Sequence, residues 1–279
     1  MINYIKMDLF RLFRSISFYI CTAILIILVL SQIADARDIE KLGGQYFTNE
    51  DTQVVDEEDD TIIIGMTSDG EEIIRNGIDL ASCLHSAYSG SVLTFIILIL
   101  FTIFVCGEYT SGYIKNTIAI PEHRWYFNIS KLVTGFVIII IENIIIVNMY
   151  LFAIKFIFSK GKIGDLGVFG TYLGLQVLLS LGLCAFVIMV CDIFRSNSIS
   201  IIIAICASIQ LLTAPIYYVL CGMLDIKYEI VSKFFISTIT RLLPLEISSK
   251  TLIEVLSLGI LGTIAYTIIG NIIINKKDI

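Results

Sequence analysis

An all-α integral-membrane fold is predicted for this 279-residue chain, and three observations predict it. Hydrophobic residues make up 57% and charged residues 16%, with a mean hydropathy of +0.89, where soluble domains run about half apolar and a quarter charged. Six apolar runs reach or approach the ~20 residues that a helix needs to cross a bilayer. None alternates with the period of two that a membrane β-barrel strand requires. The runs are Ser17–Ile33, Ser91–Cys106, Leu132–Phe158, Val168–Ile193, Ile199–Met223 and Leu252–Ile274, and 1–279 is read as one membrane domain.

Residues 1–16 precede the first run. Ile2, Ile5, Leu9, Leu12 and Ile16 share one helical face, with Asn3, Lys6 and Arg14 mostly opposite, which is the pattern of an amphipathic helix lying in the membrane interface. A plain extension of the first span fits the same residues. Lys6, Arg11 and Arg14 before the run and Ala34-Asp35-Ala36 after it also match a signal peptide, but an uncleaved signal anchor is expected. Residues 34–90 then form a long acidic segment carrying Glu50, Asp51 and Asp56 to Asp60, with Asp69-Gly70 suited to a hairpin turn. It reads either as an antenna for cationic substrates or as a solvated loop without a ligand. The spacing of an EF-hand loop is absent.

Between the second and third runs stands EYTSGYIKNTIAIPEHRWYFNISK, residues 108–131. Glu108 to Ile118 is expected to form a short helix at the membrane surface, with Tyr109, Tyr113 and Trp125 suited to the interface. Pro121 fixes φ and turns the chain back toward the membrane. Such a rigid polar knob suits a docking partner, although an ordinary interfacial loop has the same composition. Asn128-Ile129-Ser130 matches a glycosylation acceptor and is read as chance.

The third run contains Glu142 and Asn143, with Asn148 six residues beyond Glu142. A carboxyl at mid-membrane costs a few kcal/mol unless it faces protein or water. Glu142 therefore either lines a transport path or binds a coupling cation, or else makes an interhelical hydrogen bond. Lys155 and Glu254 lie near span ends and can snorkel. Gly170 and Gly174, and Gly259, Gly262 and Gly270, are read as sites of close helix packing. Pro215 is expected to kink the fifth span. Within 224–251, Ile226 to Arg241 looks helical, with Ile230, Phe234, Phe235 and Ile239 apolar and Pro244 ending the pattern.

An even number of crossings puts both termini on one side. That side carries Lys6, Arg11, Arg14, Lys115, Arg124, Lys131, Arg195, Lys276 and Lys277 close to span ends, so both termini are expected in the cytoplasm, against the pull of Lys160 and Lys162. The net charge of −6 would suggest basic partners, but the acid is concentrated in one segment, so the average misleads; no nucleic-acid partner is expected. Six of the seven cysteines, all but Cys83, fall in or beside apolar runs, so no disulfide framework is read. His85 and His123 are expected on opposite sides and cannot share a metal. No H-E-x-x-H, C-x-x-C, G-x-S-x-G or phosphate-binding G-x-x-x-x-G-K-[ST] occurs, so no catalytic residue, metal or cofactor is expected in this chain.

Glu108-x-x-x-Gly112-x-x-Lys115, then Pro121 and Arg124, then Lys131 before the third span, resembles the corresponding stretch in permeases of type-two ABC exporters. Tyr113 stands where that family commonly has Thr. The resemblance extends over the amphipathic N-terminus, the six spans and the segment before the last one. It implies that 108–131 is a cytoplasmic coupling helix, and that Glu108, Gly112, Lys115, Pro121, Arg124 and Lys131 serve ATPase coupling. It also implies two ATP-binding subunits that hold ATP and Mg, a second permease, identical or homologous, and a bacterial plasma membrane. In that family the first and fifth spans line the pathway, which makes the Pro215 kink a candidate gate; Glu142, Asn143 and Asn148, polar residues of the third run, are the other candidate path residues. The short-looped form resembles bacitracin and lantibiotic self-protection permeases and peptide exporters, implying an amphipathic or antimicrobial peptide substrate. Lipid, glycan or drug export and a non-transporting membrane sensor or scaffold are the rival readings, and an intramembrane enzyme lacks a catalytic set.

Overall fold

The structure, a computed structural model, describes residues 2–48, 79–112, 124–158, 161–209, 211, 219, 236–245 and 247–276, with the side chains of 39–48, 124 and 125 left out. The described chain is helical: α1 (Ile2–Arg14), α2 (Ile16–Thr48), α3 (Leu80–Ser89), α4 (Val92–Thr110), α5 (Arg124–Phe156), α6 (Leu166–Phe194), α7 (Asn197–Ser208), α8 (Ile236–Leu242) and α9 (Ser249–Lys276). Among the described residues, five helices are long and apolar enough to cross a membrane, namely α2, α4, α5, α6 and α9. Of the fifth apolar run, α7 covers the opening turns. Residues 212–218 and 220–235, and with them Pro215, lie outside the described residues, as does the acidic stretch 49–78.

Several boundaries differ from the sequence reading. Helix α2 runs on to Thr48, well into the segment read as loop from Ala34. The same segment ends in a helix that the sequence reading did not separate, α3, which starts at the N-cap Asp79, whose side chain accepts from the Ser82 amide at 3.0 Å. Ser91, at φ 60°, makes the break between α3 and α4. Glu108 does not open a separate surface helix, because it and Thr110 form the last turn of α4.

Helices α4 and α6 make the interior: 67% of each span is buried, against 33% for α2 and 11% for α9. Apolar area alone does not drive helices together in lipid, so small residues that admit close approach matter more. Ile236, from α8, occupies a notch that two glycines leave open. A Cβ on Gly182 of α6 would come 2.9 Å from its Cδ1, and one on Gly262 of α9 would come 2.6 Å from it. Gly259 likewise makes room for Leu178. Gly170 and Gly174 do not pack in this way, since a Cβ at either position would meet open space. The G-x-x-x-G match is therefore not a close helix contact among the described residues.

Polar side chains also bridge the helices. Tyr150 donates to Gln32 at 2.9 Å, joining α5 to α2. Tyr88 donates to Asn143 at 3.0 Å, joining α3 to α5. The Gln176 amide donates to the Thr240 carbonyl at 2.8 Å, joining α6 to α8. The opposite end of the bundle is held differently, by charge.

Candidate functional site: an ionic clasp at the base of residues 113–123

Helix α1 packs against α5, and the face it presents there carries Asp8 and Leu12, both buried. Its apolar Ile2, Phe10 and Phe13 are exposed instead, as is Ile16 at the start of α2. An aspartate on the inner face of an amphipathic helix needs a partner, and α5 supplies two. The Lys131 ammonium sits 2.6 Å from Asp8 Oδ1, and Ser130 Oγ donates to Asp8 Oδ2 at 2.5 Å. The same ammonium donates to Glu108 Oε1 from the last turn of α4, and Arg11, one turn along α1 from Asp8, donates to that oxygen too.

Asp8, Glu108 and Lys131 are each no more than 1% exposed, while the Arg11 side chain reaches 30%. Among the described residues, two acids and two bases make the cluster formally neutral, which is how ionised groups are tolerated in a low-dielectric interior. Phe104 and Phe127 extend this around the lysine: its ammonium lies 5.3 and 5.0 Å from their ring centroids. Asp8, Arg11, Glu108 and Lys131 thus join α1, α4 and α5 at the two ends of the 113–123 segment.

A second polar contact lies beside it. Tyr109 donates to Asp192 Oδ1, and the Asn128 amide donates to Asp192 Oδ2 at 3.0 Å, which ties α4 and α5 to the last turns of α6. Gly270 of α9 completes the fit, since a Cβ there would come 2.9 Å from Asp192 Oδ2 and 3.2 Å from Asn128 Nδ2. Asn128 and Ser130, the outer residues of the glycosylation match, are both fully buried in these contacts. Just past the α4 terminus, Gly112 adopts φ +70°, a conformation costly for any residue with a Cβ, and its amide donates to the Tyr109 carbonyl at 3.3 Å.

Of the residues singled out in the sequence, Glu108 and Lys131 therefore come together, and Gly112 ends the helix one turn past Glu108. Lys115 and Pro121 lie outside the described residues, and Arg124 is seen only as the first residue of α5. Asp8, Arg11, Tyr109, Asn128 and Asp192 were not singled out as site residues. The available signal was an acid interrupting an otherwise apolar setting, which both Asp8 and Asp192 display.

Among the described residues, the path candidates Glu142, Asn143 and Asn148 face different partners. Glu142 is fully buried and accepts from Thr22 of α2 at 2.7 Å, whereas Asn143 faces Tyr88 on α3. Asn148 is exposed and donates to its own helix, to the Ile144 carbonyl at 2.7 Å. Among the described residues no cluster of His, Cys, Asp and Glu suits a metal ion.

A family model described as "ABC-2 family transporter protein" matches residues 2–229. No curated protein matches the chain.

Proposed function

Because this chain belongs to the ABC-2 family of transporter proteins, a multi-pass membrane subunit that works with ATP-binding subunits, we propose that residues 108–131 are its coupling segment and that the ionic clasp transmits their movement into the membrane. One observation carries the reading: Asp8, Arg11, Glu108 and Lys131 form a buried, neutral cluster at the base of 113–123. Removing one partner from such a cluster leaves an uncompensated buried charge, at a cost of about 3–5 kcal/mol, so under load the cluster moves as a body rather than splitting.

The connectivity then supplies a route. A push on 113–123 bears on α4 and α5 directly and on α1 through Asp8 and Arg11. Only Ser15 separates α1 from α2, with its amide held on the Leu12 carbonyl at 3.0 Å, so tilting α1 swings the first span. Glu108 and Lys131 act as this transmission, while Lys115, Pro121 and Arg124 belong to the surface that meets the ATPase. Pro215 and Glu142 belong to the path that opens, and Asn143 and Asn148 flank it.

In the full assembly, two ATP-binding subunits hold ATP and Mg, and a second permease, identical or homologous, completes the path. The chain sits in a bacterial plasma membrane with both termini cytoplasmic, and it exports an amphipathic, antimicrobial-type peptide. The acidic 49–78 stretch favours a cationic one.

Reconstitution of the chain with candidate ATP-binding subunits tests this reading. A stable complex is expected, whose ATP hydrolysis a cationic amphipathic peptide stimulates and which carries that peptide across a vesicle membrane. Failure to bind any ATPase rejects the coupling role. A complex that responds to the peptide without moving it favours the sensor reading, and one that moves lipid or drug instead reassigns the substrate.

A further inference from the structure

Cys106 on α4 and Cys191 on α6 are 85 positions apart in sequence, yet their sulfurs lie 2.7 Å from each other. Both side chains are fully buried and both thiols are free. That separation is nearer to the ~2.05 Å of an S–S bond than to the ~3.5–4.0 Å of ordinary non-bonded contact between carbon atoms. Forming the bond needs less than about 1 Å of further approach. Cys21, Cys83, Cys184 and Cys206 are also free, and none of them has a sulfur contact of this kind among the described residues.

The pair sits within the candidate coupling end. Cys106 precedes Glu108 by two positions, and Cys191 adjoins Asp192, which holds Tyr109 and Asn128. A displacement of α4 relative to α6 at this level changes the distance between the two thiols.

We infer that Cys106 and Cys191 form an oxidative modification site, a dithiol that a peroxide converts to an intrachain disulfide pinning α4 to α6. Hydrogen peroxide, small enough to reach a buried thiol, oxidises one cysteine to the sulfenic acid and is itself reduced to water. The neighbouring thiol attacks that sulfur, the S–S bond forms, and the hydroxyl leaves with the thiol proton as a second water. Two electrons pass from the two thiols to one peroxide, and two waters result. Thiol reductants reverse the bond by exchange. With α4 and α6 pinned beside Glu108 and Asp192, the movement that couples ATP hydrolysis to the membrane is arrested. This consequence rests on the coupling role proposed above, whereas formation of the bond does not.

The test uses the full chain in native membranes, treated with hydrogen peroxide and then alkylated and digested without reductant. A linked peptide containing Cys106 and Cys191 is expected, lost on dithiothreitol treatment and absent from both Cys106→Ser and Cys191→Ser. Oxidation of Cys206 without any Cys106–Cys191 linkage overturns the assignment, as does linkage of either cysteine to a different partner. In the reconstituted ATPase complex, peroxide should lower peptide-stimulated hydrolysis at least fivefold, reversibly in the native chain and not in either serine variant. A linked but fully active complex overturns the arrest. If no ATPase binds at all, the coupling role fails while the linkage is still read in the chain alone.

Discussion

The ammonium of Lys131 lies 2.6 Å from the carboxylate of Asp8, across 123 positions of sequence, and both side chains are 1% exposed. The pair fastens the N-terminal helix to the start of the third span. Glu108 shares the same ammonium from the end of the second span, so one cation serves three helices.

Lys131→Met should be the most damaging change in the clasp. It strands Asp8 and Glu108 together, with Arg11 partly exposed as their remaining cation, and should cost about 3–5 kcal/mol. Thermal unfolding in detergent measures the loss. A double-mutant cycle of Asp8→Ala with Lys131→Ala should give a coupling energy above about 1 kcal/mol, as contacting charges do. Additive effects would show that the two side chains do not interact in the folded protein.

Gly112→Ala places a Cβ at φ +70° and should destabilise the end of α4 by about 1–2 kcal/mol. Among the described residues nothing lies within 4 Å of that Cβ, so the penalty is conformational rather than steric. Gly112→Asn should therefore recover part of the loss, because Asn tolerates the left-handed region better. Equal damage from Ala and Asn would point to crowding instead, and limited proteolysis between α4 and α5 reports the difference.

Gly270→Ala and Gly174→Ala should separate cleanly. The first drives a methyl to within 2.9 Å of Asp192 and disturbs its bonds with Tyr109 and Asn128, an overpacking cost of about 1–3 kcal/mol. The second enters open space and should be neutral or slightly stabilising. A comparable fall in melting temperature for both variants would contradict the packing described for α6 and α9.

Glu142→Gln retains an oxygen for the Thr22 hydroxyl, so folding stability should change by less than about 1 kcal/mol. If the carboxyl serves the transport path, flux through vesicles should nevertheless fall about tenfold, a loss of ~1.4 kcal/mol in transition-state stabilisation. Unimpaired flux would assign Glu142 to helix packing alone.

Much of this protein is legible from one sequence. Continuous apolarity marks the spans of α2, α4, α5, α6 and α9, because bilayer thickness demands long helices whose backbone groups are satisfied within the helix. Ends were less readable. Helix α2 continues through polar residues to Thr48, and hydropathy marks where lipid contact stops rather than where helical hydrogen bonding stops.

By itself, the sequence determined the membrane class, the polar interruption at 108–131 and the two charged residues, Glu108 and Lys131, that bound it. Only the tertiary structure decided that these residues are buried together, and that Asp8 and Arg11 complete their charge balance from more than ninety positions away. The reason is physical. Burial in a bilayer is a one-dimensional property that a hydropathy run records, whereas pairing of charges depends on which helices touch. Asp8 reads on paper as a polar residue of an interfacial helix. Its role appears only when the packing of α1 on α5 removes it from water and makes Lys131 its nearest compensation.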